Sequence, residues 1–152
     1  MRQDVYSGQL NLHRQEHGDT LREASNYALG LVKSSRFAEA KSLLCKTMPV
    51  ARRVLGESYY LTLTMRLNYA MALYLDNSAM IGDLREAVTT LEETARIARR
   101  VFGGAHPLTT AIERNLREAQ AALGARETLS PGSAQNALTR SHFSLVAKNT
   151  FD

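Results

Sequence analysis

His13 and His17 stand four residues apart, a spacing that sets two imidazoles on one face of a helix and could let them share a metal ion. Protein metal sites take three or four ligands, and nothing completes this pair, so it reads as helix surface and no metal is expected. Cys45 is the one cysteine. It cannot close an internal disulfide, which fits a reducing compartment, and a cytoplasmic location is the expectation. With no histidine or ligand spacing beside it, a small, partly buried side chain is expected rather than a reactive thiol. The chain has no Gly-rich phosphate loop, no His-Glu-x-x-His and no nucleophile paired with a base. Neither an enzyme nor a cofactor is read from it. What remains is recognition chemistry. Asn26, Asn68 and Asn115 fall inside helical patterns, although asparagine is a mediocre helix former. Each carboxamide offers both a donor and an acceptor.

A repeat positions those asparagines. Ala51-Arg52-Arg53-Val54-Leu55-Gly56 returns as Ala98-Arg99-Arg100-Val101-Phe102-Gly103, 47 residues later. Phe37-Ala38-Glu39-Ala40 and Leu84-Arg85-Glu86-Ala87 are also 47 apart, but Asn26-Tyr27-Ala28 and Asn68-Tyr69-Ala70 only 42. The difference is a five-residue insertion in the turn-like stretch Asp76-Asn77-Ser78-Ala79-Met80-Ile81-Gly82-Asp83, where a loop lengthens cheaply. The basic unit is two helices.

Residues 1–14 read as the end of a second-type helix, with Leu10 and Leu12 its last apolar contacts. They look like the remnant of a preceding repeat, which would make the chain a piece of a longer array. Residues 18–34 form the first complete helix, with Leu21, Ala24, Tyr27, Ala28 and Leu31 on one face and Thr20 and Glu23 at capping-box spacing. After Ser34-Ser35-Arg36 the chain must turn back, so the helix over 36–55 runs antiparallel. Pro49 within it predicts a kink near Cys45, with the ring toward solvent. Gly56 ends it in a left-handed conformation. Residues 59–76 and 83–102 repeat the pair. Asp83 and Glu86 have capping-box spacing, and Leu84, Ala87, Leu91, Ala95, Ala98 and Phe102 form the buried stripe. His106-Pro107 opens a third first-type helix over 107–123, with Gly124 as its stop. The array therefore covers 1–125, with full repeats at 18–56 and 59–103 and a half repeat at 107–123. Residues 126–152 lack a periodic apolar face and read as a disordered tail, with Phe143, Leu145 and Val146 a candidate docking peptide. No second helix follows to cover Ile112, Leu116 and Leu123, so the expectation is either self-association through open ends or a marginally folded chain.

A net charge of +4 and a pI near 9.5 weakly favour acidic partners. No apolar run reaches the ~18–20 residues of a membrane span, and no membrane partner is expected. The arginine pairs Arg52-Arg53 and Arg99-Arg100 lie at the ends of second-type helices, where cations offset the helix dipole. A solvated face explains them better than a nucleic-acid patch, so nucleic acid is not expected either.

The phrase Ala-Arg-Arg-Val-(Leu/Phe)-Gly, the His106-Pro107 junction, the Asn phrases at Asn26 and Asn68, and Glu39-Ala40 with Glu86-Ala87 resemble the tetratricopeptide repeats of kinesin light chains. The resemblance covers about residues 5–123. It departs from the family at Glu57-Ser58-Tyr59-Tyr60, where His-Pro would stand, in the five-residue insertion, and in lacking the kinesin-binding heptads. It implies an all-α fold of antiparallel helix pairs stacked as a short right-handed superhelix, an α-solenoid, and no motor role. In such arrays the first helices line a concave groove. The resemblance implies that the asparagine position contacts bound peptide there. The residues alone allow equally that the amides bond neighbouring repeats. Arg22, Asn26, Leu29, Lys33, Thr64, Leu67, Asn68, Met71, Tyr74, Arg114, Asn115 and Glu118 would line the groove. Cations beside apolar surface suit a protein or peptide ligand with an acidic residue and an apolar anchor. The alternative is a structural or oligomerising fragment of a larger scaffold without its own groove ligand.

Overall fold

The structure, a computed structural model, describes the backbone of residues 2–129 and the side chains of residues 17–129. The side chains of Leu10, Leu12 and His13, and the Phe143–Val146 segment, lie outside the described residues. Five α-helices follow in chain order: α1 (Arg2–Lys33), α2 (Phe37–Leu55), α3 (Tyr60–Tyr74), α4 (Ile81–Phe102) and α5 (Pro107–Leu129). No strand occurs among the described residues.

Six helices were expected and five are found, because 2–14 and 18–34 are one. Gly18 lies inside that helix. A glycine inside a helix costs about 1 kcal/mol, less than a break that leaves four unbonded C=O groups on one side and four unbonded N–H groups on the other. Thr20 and Glu23 are therefore helix interior, not a cap, and Asp19 instead pairs with Arg22 at 3.4 Å. The helix ends at a six-to-one turn. Arg36 N–H donates to Leu31 O at 2.8 Å, Ser35 N–H donates to Val32 O at 3.0 Å, and Ser35 takes φ 59°. That conformation favours glycine over residues carrying a Cβ. Ser35→Gly is expected to raise unfolding free energy by about 0.5–1 kcal/mol, read from the urea midpoint. An unchanged or lowered midpoint would contradict this.

α2 runs through Pro49 to Leu55, and Pro49 is exposed as expected. Cys45 is exposed as well, not partly buried, because it stands off the stripe of Ala40, Leu44, Met48 and Ala51 that faces inward. Gly56 and Gly103 both stop their helices at positive φ, 92° and 86°. Their ψ values of 161° and 163° are extended rather than left-handed helical. α4 starts at Ile81, two residues before the expected 83, and its cap lies three residues before Asp83. Met80 is the cap, and its N–H donates to the Asp83 carboxylate at 3.2 Å. Before it, the inserted turn is closed by Asp76, whose carboxylate accepts from Ser78 N–H and Oγ, while Ala79 is buried. α5 opens at Pro107, where His106 Nδ1 accepts from Leu108 N–H at 3.1 Å. It passes Gly124 and the expected tail boundary to reach Leu129. Arg126 donates to Asn77 O at 2.7 Å and Arg85 pairs with Glu127 at 3.5 Å, which fastens this last turn.

Each helix packs on the next, and α3 also packs on α1 and α5; α2 and α4 do not meet. α1, α3 and α5 thus form one row, and α2 and α4 cover it on one side with a gap between them. Leu21, Ala28, Leu44, Met48, Ala51, Leu61 and Met65 form the core of the first pair with α3. Leu63, Leu73, Leu91, Ile112 and Ala119 belong to the second core. Positions 47 residues apart are buried alike: Ala40 with Ala87, Leu44 with Leu91, and Ala51 with Ala98 are all fully buried. Ile112, expected to lie open, is fully buried, and Leu116 and Leu123 are half-buried, because α5 lies across both α3 and α4.

Candidate functional site

α3 is the centre of the row and is buried on most of its surface. Tyr60, Thr64 and Met71, with Leu75 just past the helix end, are half-buried or exposed, recur at helical spacing and make one open strip; Tyr69, also half-buried, lies on the opposite side of α3. Arg22, Leu29 and Lys33 of α1 hold the same register as Thr64, Met71 and Leu75, being 42 residues earlier. Arg22, Lys33 and Arg114 are exposed, and Leu29 is half-buried. These residues, expected to line a groove, do have open surface.

The asparagines divide. Asn68 is 3% exposed and its amide donates to Ser25 O and Oγ, both at 3.3 Å. Asn115 is 7% exposed; it donates to Ala111 O at 2.8 Å and accepts from the Tyr74 hydroxyl at 2.5 Å. Each amide therefore ties its helix to the preceding helix of the row, α3 to α1 and α5 to α3. Hydrogen bonding between neighbouring units, one of the two readings of these residues, is what the contacts display. Leu67 and Tyr74 are also buried, because α3 has neighbours in the row on both sides. Asn26, in the same register on α1, is exposed.

The Tyr74 hydroxyl also reaches Glu118 Oε2 at 2.9 Å. Burial first, then the hydrogen bond and negative charge of Glu118, push this phenol above its ordinary value. Burial and Glu86, which accepts from the Tyr69 hydroxyl at 2.7 Å, do the same for Tyr69. Folding thus favours the neutral phenols. Their contribution is whole below the ordinary tyrosine value near pH 10 and is lost as pH rises through the raised folded values. The melting temperature is expected to fall above about pH 10, and less steeply in Tyr74→Phe. Equal slopes in the two proteins would contradict this.

Sequence reasoning missed a second feature. α2 and α4 stand apart over α3, and the gap is a groove. At one end a recess of about 420 Å³ is lined by Arg52, Glu57, Arg66, Glu93, Arg96 and Arg100. It continues past Arg52, Arg66 and Glu93 into a recess of about 270 Å³ that takes in Met48, Pro49 and Tyr69. Arg66 is 6% exposed and donates to Glu93 Oε2 at 2.9 Å, while its Nε is buried without a partner. The signal was in the repeat. Arg66 stands 47 residues before Glu113, and Arg52 before Arg99. In the second unit Arg99 grips Glu113, with Nε at 3.0 Å and a short Nη2 contact. The first unit has two arginines at those places.

No group of three His, Cys, Asp or Glu residues able to hold a metal ion occurs among the described residues, and no helix there is long and apolar enough to cross a membrane. Comparison of the chain with protein-family models, curated proteins and solved structures finds no match.

Proposed function

We propose that the chain is a short array of tetratricopeptide-type helix pairs that binds a protein or peptide segment along the open face of α1, α3 and α5. One observation carries this reading: Tyr60, Thr64, Met71 and Leu75 keep open surface in one strip at helical spacing, on the side of α3 opposite Tyr69. Tyr60, Thr64, Met71 and Leu75 give that strip an apolar and hydroxyl character, and Arg22, Lys33 and Arg114 add cations beside it. An extended segment with an apolar anchor and an acidic residue matches it. The repeat type is supported by the phrases 47 residues apart and by the shared conformation of Gly56 and Gly103.

The test is selection of peptides from a random library on the purified chain, followed by affinity measurement on Met71→Glu and Lys33→Glu. Lys33 is exposed, so its variant should keep the melting temperature; Met71 is half-buried and packs against the core, so a melting curve is taken beside the affinity of Met71→Glu to show that the variant is folded. Affinity is expected to drop about tenfold or more in Met71→Glu, equivalent to burying a charge in place of an apolar contact. Selected peptides that bind both variants as well as the parent would refute this face as the site.

A structural role has one observation in its favour. Asn26 is exposed, and so is Tyr27 at 60%, at the register where Asn68 and Asn115 reach the preceding helix. A further helix pair, or a second copy, could stack there. Sedimentation across a hundredfold concentration range reads this directly, and a constant monomer mass would exclude a second copy.

A further inference from the structure

We propose that the groove between α2 and α4 is a second binding site, independent of the peptide face, and that it takes a phosphoryl group borne on an apolar carrier. Four arginines, Arg52, Arg66, Arg96 and Arg100, converge on its larger recess against two glutamates, Glu57 and Glu93. Arg52 and Arg100 are exposed in the last turns of α2 and α4, but Arg66 is not part of a solvated helix end. Arg66 is buried, and Arg52 and Arg66 hold the places where the second unit has the Arg99–Glu113 ion pair. At that position, then, the fold has a carboxylate in one unit and a second cation in the other. Arg66 turns to Glu93 of α4 instead, and its Nε remains without a bond. The side chains of Arg52, Arg96 and Arg100 form no ion pair among the described residues. A buried, incompletely bonded guanidinium with uncompensated cations around it is stabilised by an oxyanion, which accepts charge-assisted hydrogen bonds in forked geometry.

The size and surroundings of the recess narrow the class of anion. A volume of about 420 Å³ holds one small oxyanion and its carrier. A nucleic-acid strand spreads its charges along a track, and Glu57 and Glu93 would repel part of such a track. A single phosphoryl dianion concentrates charge where the arginines meet. Beyond Arg66 the groove is lined by Met48, Pro49 and Tyr69 together with Cys45, Thr90 and Glu86; Glu86 is engaged by the Tyr69 hydroxyl, and the methionine, proline and tyrosine ring suit an apolar or aromatic group next to the phosphoryl.

The probes are inorganic phosphate, phenyl phosphate and a single-stranded oligonucleotide, titrated at ionic strength held constant with chloride. The readouts are the Arg66 Nε–H resonance and the Met48 methyl resonance of the full chain. Phosphate is expected to shift the Arg66 signal saturably, and phenyl phosphate to bind about tenfold tighter and to move Met48 as well. Arg52→Gln and Arg100→Gln, at exposed positions, should each weaken both ligands about tenfold, the loss of one charge-assisted hydrogen bond, without changing the melting temperature. A shift that chloride reproduces, or one that survives when Arg52→Gln and Arg100→Gln are combined, would overturn the site. Phenyl phosphate no tighter than phosphate would overturn the apolar carrier. Oligonucleotide binding that displaces phenyl phosphate and weakens steeply with salt would replace the proposal with a nucleic-acid surface.

Discussion

Leu44→Ala and Leu91→Ala are each expected to lower the unfolding free energy by about 2–5 kcal/mol. Both leucines are fully buried, Leu44 between α2 and its neighbours and Leu91 at the same place in α4. Truncation removes the transfer free energy of three carbons and leaves a cavity that surrounding helices can fill only in part. Small domains are stable by about 5–15 kcal/mol, so either change takes a large share of the total. Because the two sites are equivalent in the repeat, the losses should be similar, and urea unfolding followed by circular dichroism measures both. A loss below about 1 kcal/mol at either site would place that leucine outside a tightly packed core.

Asn68→Ala and Asn115→Ala are expected to cost about 1–3 kcal/mol each. Asn68 alone bridges α3 to Ser25 of α1, so its removal leaves buried polar groups of Ser25 with one partner fewer. Asn115 shares Tyr74 with Glu118, which can take over the phenolic proton, so its cost should lie at the lower end of that range. A double-mutant cycle of Asn115→Ala with Tyr74→Phe should show a coupling of about 0.5 kcal/mol or more, while the Asn68 and Tyr74 pair should be additive. If both asparagine variants melted like the parent, the amides would not be holding the row together.

These asparagines show what the sequence could and could not say. Their register was legible, because Asn-Tyr-Ala recurs and sequence spacing fixes angular position on a helix. Which neighbour lies across that angle is a tertiary fact, and α3 turned out to have one on each side. The stops at Gly56 and Gly103 were legible for a local reason, since positive φ needs glycine. The continuity of α1 through Gly18 was not, because a cost of about 1 kcal/mol is too small to decide a boundary. Nor was the last turn of α5, which depends on Asn77 and Arg85, distant along the chain. The α2–α4 groove was hidden because Arg66 falls outside both the apolar stripe and the repeated phrase. Only its pairing with Glu113 across the repeat marks it.

The methionine methyl spectrum tests the peptide face most directly, because the methionines are distributed as reporters. Met71 lies on the open strip of α3, Met48 in the α2–α4 groove, Met80 at an exposed turn and Met65 in the core. Selectively labelled chain is titrated with a library-selected peptide. The prediction is a saturable shift of Met71, with Met48 and Met80 unmoved. A peptide that binds while Met71 stays in place, and Met48 or Met80 shifts instead, would contradict a ligand face on α1, α3 and α5.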